Sequence, residues 1–192
     1  MGRPVVEIGD SELRASAAVP QVQWSRAAEE ARRAVGAAGE QALLRLLRKG
    51  GVPQVRHVAA ESDAYGYDIA ACSPAERAHL EVKSTTNPTR LVIHLTRHEY
   101  EVMATDADWY LVAVLVGKDG SAVNVATVSR SWLHSAVPAD RDRSGRWESV
   151  RLEVPAYAIT PGLATEPRRL VADGLLPRQP VWAFGASMPL SV

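Results

Sequence analysis

Residues 79–84 read HLEVKS, and the Glu81-Val82-Lys83 core of that run decides how the rest of the chain is read. In a β-strand, side chains i and i+2 leave on the same face. Glu81 and Lys83 therefore share one face of a strand, and Leu80 and Val82 share the other. An acid and an amine so placed form either a surface ion pair, which contributes little, or half of a metal-dependent hydrolytic site. What the rest of the chain can bring to that face separates the two.

Just upstream stands GYDI, residues 66–69. YDIAAC (67–72) and AHLEVKST (78–85) are strand candidates joined by the turn SPAE. Asp has low strand propensity, so Asp68 needs a reason to be there. An antiparallel hairpin of the two strands brings Asp68 across to the Glu81/Lys83 face. A third acid, Glu40, lies in AGEQALLRLL, within a helix predicted over residues 24–51 and stopped by Gly50-Gly51 and Pro53. On a helical wheel Glu40 falls on the side of Gly36, Leu43, Leu44 and Leu47, opposite Arg45 and Lys49. A lone carboxylate in an apolar stripe is costly unless it is paired, to Arg33 or Lys83, or binds a cation. Gly36 and Gly39 mark a kink or a close contact in that helix.

Three carboxylates and one lysine thus converge at one edge of a sheet covered by the first helix. Hard cations such as Mg²⁺ take oxygen ligands, commonly one or two carboxylates with waters and substrate phosphate. A metal so held activates water, and a neighbouring ammonium orients the attacking water or offsets charge on phosphate.

Outside this region, residues 55–60 and 91–95 are strand candidates. TRHEYEVMATDA (96–107) begins a helix, with Thr96 and Glu99 spaced as a capping box. WYLVAVLV (109–116) is apolar at nearly every position, as in a central strand covered on both faces, with Trp109 and Tyr110 in the core. SAVNVATVS (121–129) and ESVRLEVP (148–155) are further strands, and 137–147 is a polar loop. The order gives an α/β fold with a mixed sheet flanked by helices. Its parts are a lead-in over 1–20, a core domain over 21–135 and a C-terminal extension over 136–192 that packs on the core.

The composition excludes several classes. Lys plus Arg and Asp plus Glu are each 22 of 192 residues, so nucleic acid would have to meet a local basic patch. The single Cys72 rules out an internal disulfide and a cysteine-rich zinc site, and His57, His79, His94 and His98 have no zinc-ligand spacing. Charges scattered through the first twenty residues and the lack of a long apolar run give the expectation of a soluble, cytoplasmic protein without a membrane partner.

GE in a helix, then HVA and GYDI, then LEVKST, then Leu95-Thr96 with Glu99 opening a helix, resembles the NO VEIN C-terminal domain family over residues 36–116. That family looks like a branch of the PD-(D/E)xK nuclease superfamily, with a restriction-endonuclease-like fold. The resemblance implies catalytic roles for Asp68, Glu81 and Lys83, and Mg²⁺ (with Mn²⁺ able to substitute) held by Asp68, Glu81 and Glu40. The implied activity is a metal-dependent endonuclease acting on DNA, in restriction or phage defence. Ser84, Thr85, Arg90, Arg97 and His98, beyond the active strand, are candidates for contacting nucleic acid. Partners implied are DNA, a second copy in a homodimer and a larger helicase-type or defence-system protein. Two other readings stand beside it: a non-cleaving nucleic-acid-binding or partner-recruiting module, and a structural homodimer joined through a tail containing Trp182 and Phe184.

Overall fold

The computed structural model describes residues 26–74, 76–140 and 146–164. The lead-in over 1–20 and the tail with Trp182 and Phe184 lie outside them. Helix α1, Arg26–Lys49, is followed by strands β1 (Gln54–His57), β2 (Ile69–Cys72), β3 (Arg77–Thr85) and β4 (Val92–Thr96). Helix α2 (Arg97–Thr105), strands β5 (Trp109–Val116) and β6 (Ala122–Val128), helix α3 (Arg130–Ala136), and strands β7 (Ser149–Glu153) and β8 (Ile159–Pro161) complete the order. The mixed sheet flanked by helices expected from the sequence is observed. Its order is β1-β2-β3-β5-β6-β8, with β4 and β7 forming a separate two-stranded ribbon. The expected hairpin is present: β2 and β3 pair antiparallel, Ile69 opposite Leu80. β3 and β5 pair in parallel, Glu81 beside Leu111 and Lys83 beside Ala113.

That parallel register sorts the core. Leu80 and Val82 of β3 join Val112 and Val114 of β5 on one face, where Leu43, Leu44 and Leu47 of α1 cover them. Leu111 and Ala113 face the other way, into a second core with Met103 of α2, Leu133 of α3, Ile93 and Leu95 of β4 and Leu152 of β7. β5 is consequently buried at every position but Tyr110, as its unbroken apolar run requires.

α1 approaches β3 very closely at Gly39. A Cβ there would stand 1.9 Å from Ser84 Oγ and 2.7 Å from Ser84 Cβ, so Gly39 is the close contact and not a kink. α3 has no counterpart among the expected elements; it is short, and Ser129 caps it by accepting from the Trp132 N–H. Its brevity leaves too little periodicity to read. No described helix is long and apolar enough to cross a membrane.

Candidate active site

The site is built where β2 meets β3. β2 begins at Ile69, one residue after Asp68, so Asp68 precedes the regular strand. The hairpin nevertheless holds it: the Asp68 N–H donates to the Leu80 carbonyl at 2.9 Å, and its own carbonyl accepts from the Val58 N–H at 2.9 Å. The Asp68 side chain accepts from the Val82 N–H through Oδ2 at 2.7 Å. The loop before it is pinned as well. Trp109 Nε1–H donates to the Gly66 carbonyl at 2.9 Å, and Tyr67 stacks on His79 with ring centres 4.3 Å apart. His79 in turn meets Asp106 at 2.6 Å. Asp68 therefore sits on a hairpin end fixed from three sides.

Glu81 and Lys83 leave β3 on the side of Leu111 and Ala113, beneath α2. Glu81 is 4% exposed. Lys83 Nζ donates to Glu81 Oε1 at 2.7 Å and to Glu99 Oε1 at 3.0 Å. Glu99 opens α2, and its other oxygen, Oε2, accepts from the Thr96 N–H at 2.9 Å. Thr96 Oγ1 accepts from the Glu99 N–H at 3.2 Å, so the expected capping box is complete. The sequence points to Glu99 only as a cap. That it also reaches Lys83, sixteen residues away, follows from the fold.

Glu40 lies on the α1 side of the sheet and bonds His57 Nε2 of β1 at 2.6 Å. Its partner is thus neither Arg33, which pairs with Glu29, nor Lys83. The edge expected to gather under α1 is in fact divided: Glu40 and His57 on the α1 side, Glu81, Lys83 and Glu99 under α2, and Asp68 at the hairpin end between them. The charge of Glu40 still acts on Asp68.

Burial dominates the electrostatics. It pushes the Asp68 carboxyl up to about 6; the Val82 N–H opposes this, and the negative charges of Glu40 and Glu99 add to it. Burial also raises Glu81 well above its ordinary value, with Glu99 and Asp68 adding and Lys83 opposing. Burial alone would lower the Lys83 amine. The charges of Glu81 and Glu99 outweigh it and hold the amine above its ordinary value, so Lys83 is an ammonium. With all groups ionised, Asp68, Glu81 and Glu99 set three negative charges against one positive. A buried excess of negative charge is compensated by protonation or by a cation.

Does this set suit a divalent metal? Among the described residues, no group of three or more His, Cys, Asp or Glu side chains is arranged to hold one ion. A pair of carboxylates with waters is an ordinary Mg²⁺ ligand set. Asp68 and Glu81, each destabilised as an anion chiefly by burial and further by the charge of Glu99, fit that smaller role.

The candidate nucleic-acid contacts are already engaged. Ser84 Oγ donates to the Gly36 carbonyl of α1 at 3.5 Å. Thr85 Oγ1 accepts from the Asn87 N–H at 3.0 Å. Arg90 pairs with Glu153. Arg97 pairs with Glu101 and Asp140 and lies over the Trp147 ring. His98 Nε2 bonds the Ala64 carbonyl at 3.1 Å. Ser84 faces α1, whereas Arg90 and Arg97 hold the β4–β7 ribbon and the polar segment after α3.

Comparison with known proteins adds the following. No curated protein matches the chain. Among solved structures the chain is similar to Hjc, a Holliday junction resolvase of the archaeal hyperthermophile Archaeoglobus fulgidus. The identity is 19% and the TM-score 0.41, with 62% of this chain and 83% of that one covered. Residues 38–128 match the family model described as Protein NO VEIN, C-terminal. Glu40, Asp68, Glu81, Lys83 and Glu99 all fall inside that stretch, and it is residues 38–128 that are identified with the NO VEIN C-terminal domain family.

Proposed function

We propose that this domain is a divalent-metal-dependent nuclease of the PD-(D/E)xK type that hydrolyses phosphodiester bonds in DNA. One observation carries the reading: buried Glu81 and half-buried Lys83, side by side on β3, share their electrostatic environment with Asp68 on the paired hairpin end. A surface ion pair needs no such burial, and an excess of acids held away from water calls for protonation or for a cation.

Asp68 and Glu81 would hold Mg²⁺ or Mn²⁺, and Glu40 would join them on exchanging its His57 partner for the ion. When bound, the metal would lower the pKa of a water and offset charge on the phosphate. Lys83 would act as a hydrogen-bond donor. As an ammonium it cannot take a proton, so its part would be to orient the attacking water and stabilise oxygen charge at the scissile phosphate. The two backbone anchors of Asp68 and the two carboxylates on Lys83 limit the motion of these groups before substrate arrives, which is how positioned residues lower a barrier. Ser84, Thr85, Arg90, Arg97 and His98 would contribute to nucleic-acid contact only by releasing their present partners. DNA is the proposed substrate, a role in restriction or phage defence the proposed setting, and a homodimer the proposed assembly.

A second reading is favoured by the engagement of the Lys83 ammonium by two carboxylates, Glu81 and Glu99: a module of the same fold that binds nucleic acid or a partner without cutting. Supercoiled plasmid and single-stranded DNA incubated with purified protein in Mg²⁺, Mn²⁺ or EDTA separate the two. Cleavage with metal and none in EDTA is the expected result. DNA retention without cleavage under every metal condition would establish the non-cleaving module instead.

A further inference from the structure

Lys83 has two carboxylate partners, and only one of them belongs to the proposed metal pair. Glu99 comes from another element, α2, and its two oxygens do different things: Oε1 accepts from Lys83 Nζ at 3.0 Å, and Oε2 accepts from the Thr96 N–H at 2.9 Å. The side chains are 19% exposed for Lys83 and 15% for Glu99, so water competes weakly for this pair. A lysine stem has four rotatable bonds and a compact head that bonds in many directions. With Glu81 alone as partner, such a head would be held by its own neighbour on β3 and would follow it wherever it turned. Glu99 supplies a second, independent anchor.

That anchor is itself rigid. The Thr96 hydroxyl holds the Glu99 backbone N–H, and Glu99 holds the Thr96 backbone N–H, so the carboxylate cannot rotate without breaking the cap. Thr96 ends β4, which the β7 strand fixes at Thr96 opposite Ser149. The position of the ammonium is therefore set from the opposite side of the site by the first turn of α2.

We propose that Glu99 is a positioning residue for Lys83: it keeps the ammonium in one place whether or not Glu81 is engaged elsewhere, with the backbone N–H of Thr96 holding its other oxygen. The proposal rests on the nuclease reading for its consequence in turnover, but not for its geometry.

The test uses the full chain with Glu99→Gln. Gln has the same length and also occurs at this position of a capping box; with its one oxygen kept on the Thr96 N–H, its NH2 faces Lys83, so the helix start is preserved while the charge and the acceptor for Lys83 are both removed. Thr96→Ala is the control: it removes the hydroxyl that accepts from the Glu99 N–H but keeps both the carboxylate and the backbone N–H that holds Glu99 Oε2. In the metal-free wild type, the Lys83 ammonium protons should exchange slowly enough to give a ¹H–¹⁵N cross-peak at low temperature, because two carboxylates hold them. Glu99→Gln should broaden that peak beyond detection, while Thr96→Ala retains it. In cleavage assays Glu99→Gln should lower kcat by about 10-fold or more with little change in KM, as expected for loss of an interaction that serves the transition state. Thr96→Ala should stay within about 3-fold of wild type. An unchanged Lys83 peak in Glu99→Gln would overturn the proposal, as would equal losses of kcat in the two variants. If the wild type does not cut DNA, the nuclease reading fails, and the cross-peak still decides whether Glu99 holds Lys83.

Discussion

The two faces of β3 obey different rules. Toward α1 it presents Leu80, Val82 and Ser84, which meet leucines and a glycine at van der Waals contact. Toward α2 it presents buried Glu81 and half-buried Lys83, clustered with half-buried Asp68 and Glu99 so that acids outnumber bases. The α1 face is complementary as it stands, so changing it should cost stability. On the α2 face burial and neighbouring negative charge raise the carboxyls of Asp68 and Glu81, so removing one of these charges should relieve the fold while destroying what the cluster does. Functional sites commonly give up stability in this manner. One strand therefore shows packing and chemistry as separable demands on alternate residues.

The largest expected effect lies on the charged face. Alanine at Glu81 or at Lys83 should each remove metal-dependent cleavage, by roughly 10³-fold or more, with the fold intact by circular dichroism. Residues that act as one unit lose nearly everything on single removal. Wild-type cleavage by Lys83→Ala would take the lysine out of the mechanism and leave the α2 face a structural ion cluster.

The apolar face should respond in the opposite way. Gly39→Ala gains roughly 1 kcal/mol of helix propensity, but its Cβ would stand 1.9 Å from Ser84 Oγ and 2.7 Å from Ser84 Cβ. The hydroxyl can turn aside; the Cβ cannot, so α1 must move off the sheet. Overpacking of this kind typically costs about 1–3 kcal/mol, and net destabilisation by urea denaturation is expected. Ser84→Gly should restore most of it in the double variant. A Gly39→Ala protein as stable as wild type would show that the α1 contact is looser than the packing implies.

Which of these features could be read from the sequence depends on how local their causes are. The β2–β3 hairpin was legible because a short apolar strand and an alternating one, LEVKS, are joined by the short turn around Ser73 and Glu76, and β5 because its apolar run has no polar interruption. The capping box of Thr96 and Glu99 is written in four consecutive residues. The pairs Glu40–His57 and Lys83–Glu99 are not, since they join residues seventeen and sixteen positions apart. Which partner each acid takes depends on which side of the sheet its element packs. The parallel pairing of β3 with β5 sets that, and no strand's own pattern reveals it. The same holds for β4, which leaves the main sheet to pair with β7 more than fifty residues later.

Away from both faces, effects should be small. Arg90 and Glu153 form an ion pair with side chains about half exposed, 48% and 54%. Exposed pairs contribute little, so Arg90→Ala should lower stability by much less than Gly39→Ala does, and by less still in high salt. A loss as large as that of Gly39→Ala, measured in the same denaturation series, would mean that the β4–β7 ribbon depends on this pair and that the fold has a third sensitive region.

Asp68→Asn tests most directly the claim that the α2 face gives up stability for metal binding. The folded pKa of Asp68, about 6, lies above the ordinary 3.8. The folded protein therefore holds a proton between those values that the unfolded chain releases. The stability linked to that proton is full below about pH 4 and is lost as pH rises through 6. Two units correspond to about 3 kcal/mol at most. The weakened bond to the Val82 N–H offsets part of that, leaving a gain of about 1 kcal/mol for the variant at pH 7. The measurement is a pair of thermal melts at pH 7, in EDTA and in Mn²⁺, for wild type and Asp68→Asn. The variant should melt a few degrees higher in EDTA and gain less from Mn²⁺ than wild type, because a ligand that binds only the folded state stabilises it by mass action. An Asp68→Asn protein that melts lower in EDTA and gains as much from Mn²⁺ as wild type would contradict that claim, leaving Asp68 a structural residue and the proposed metal pair without its first member.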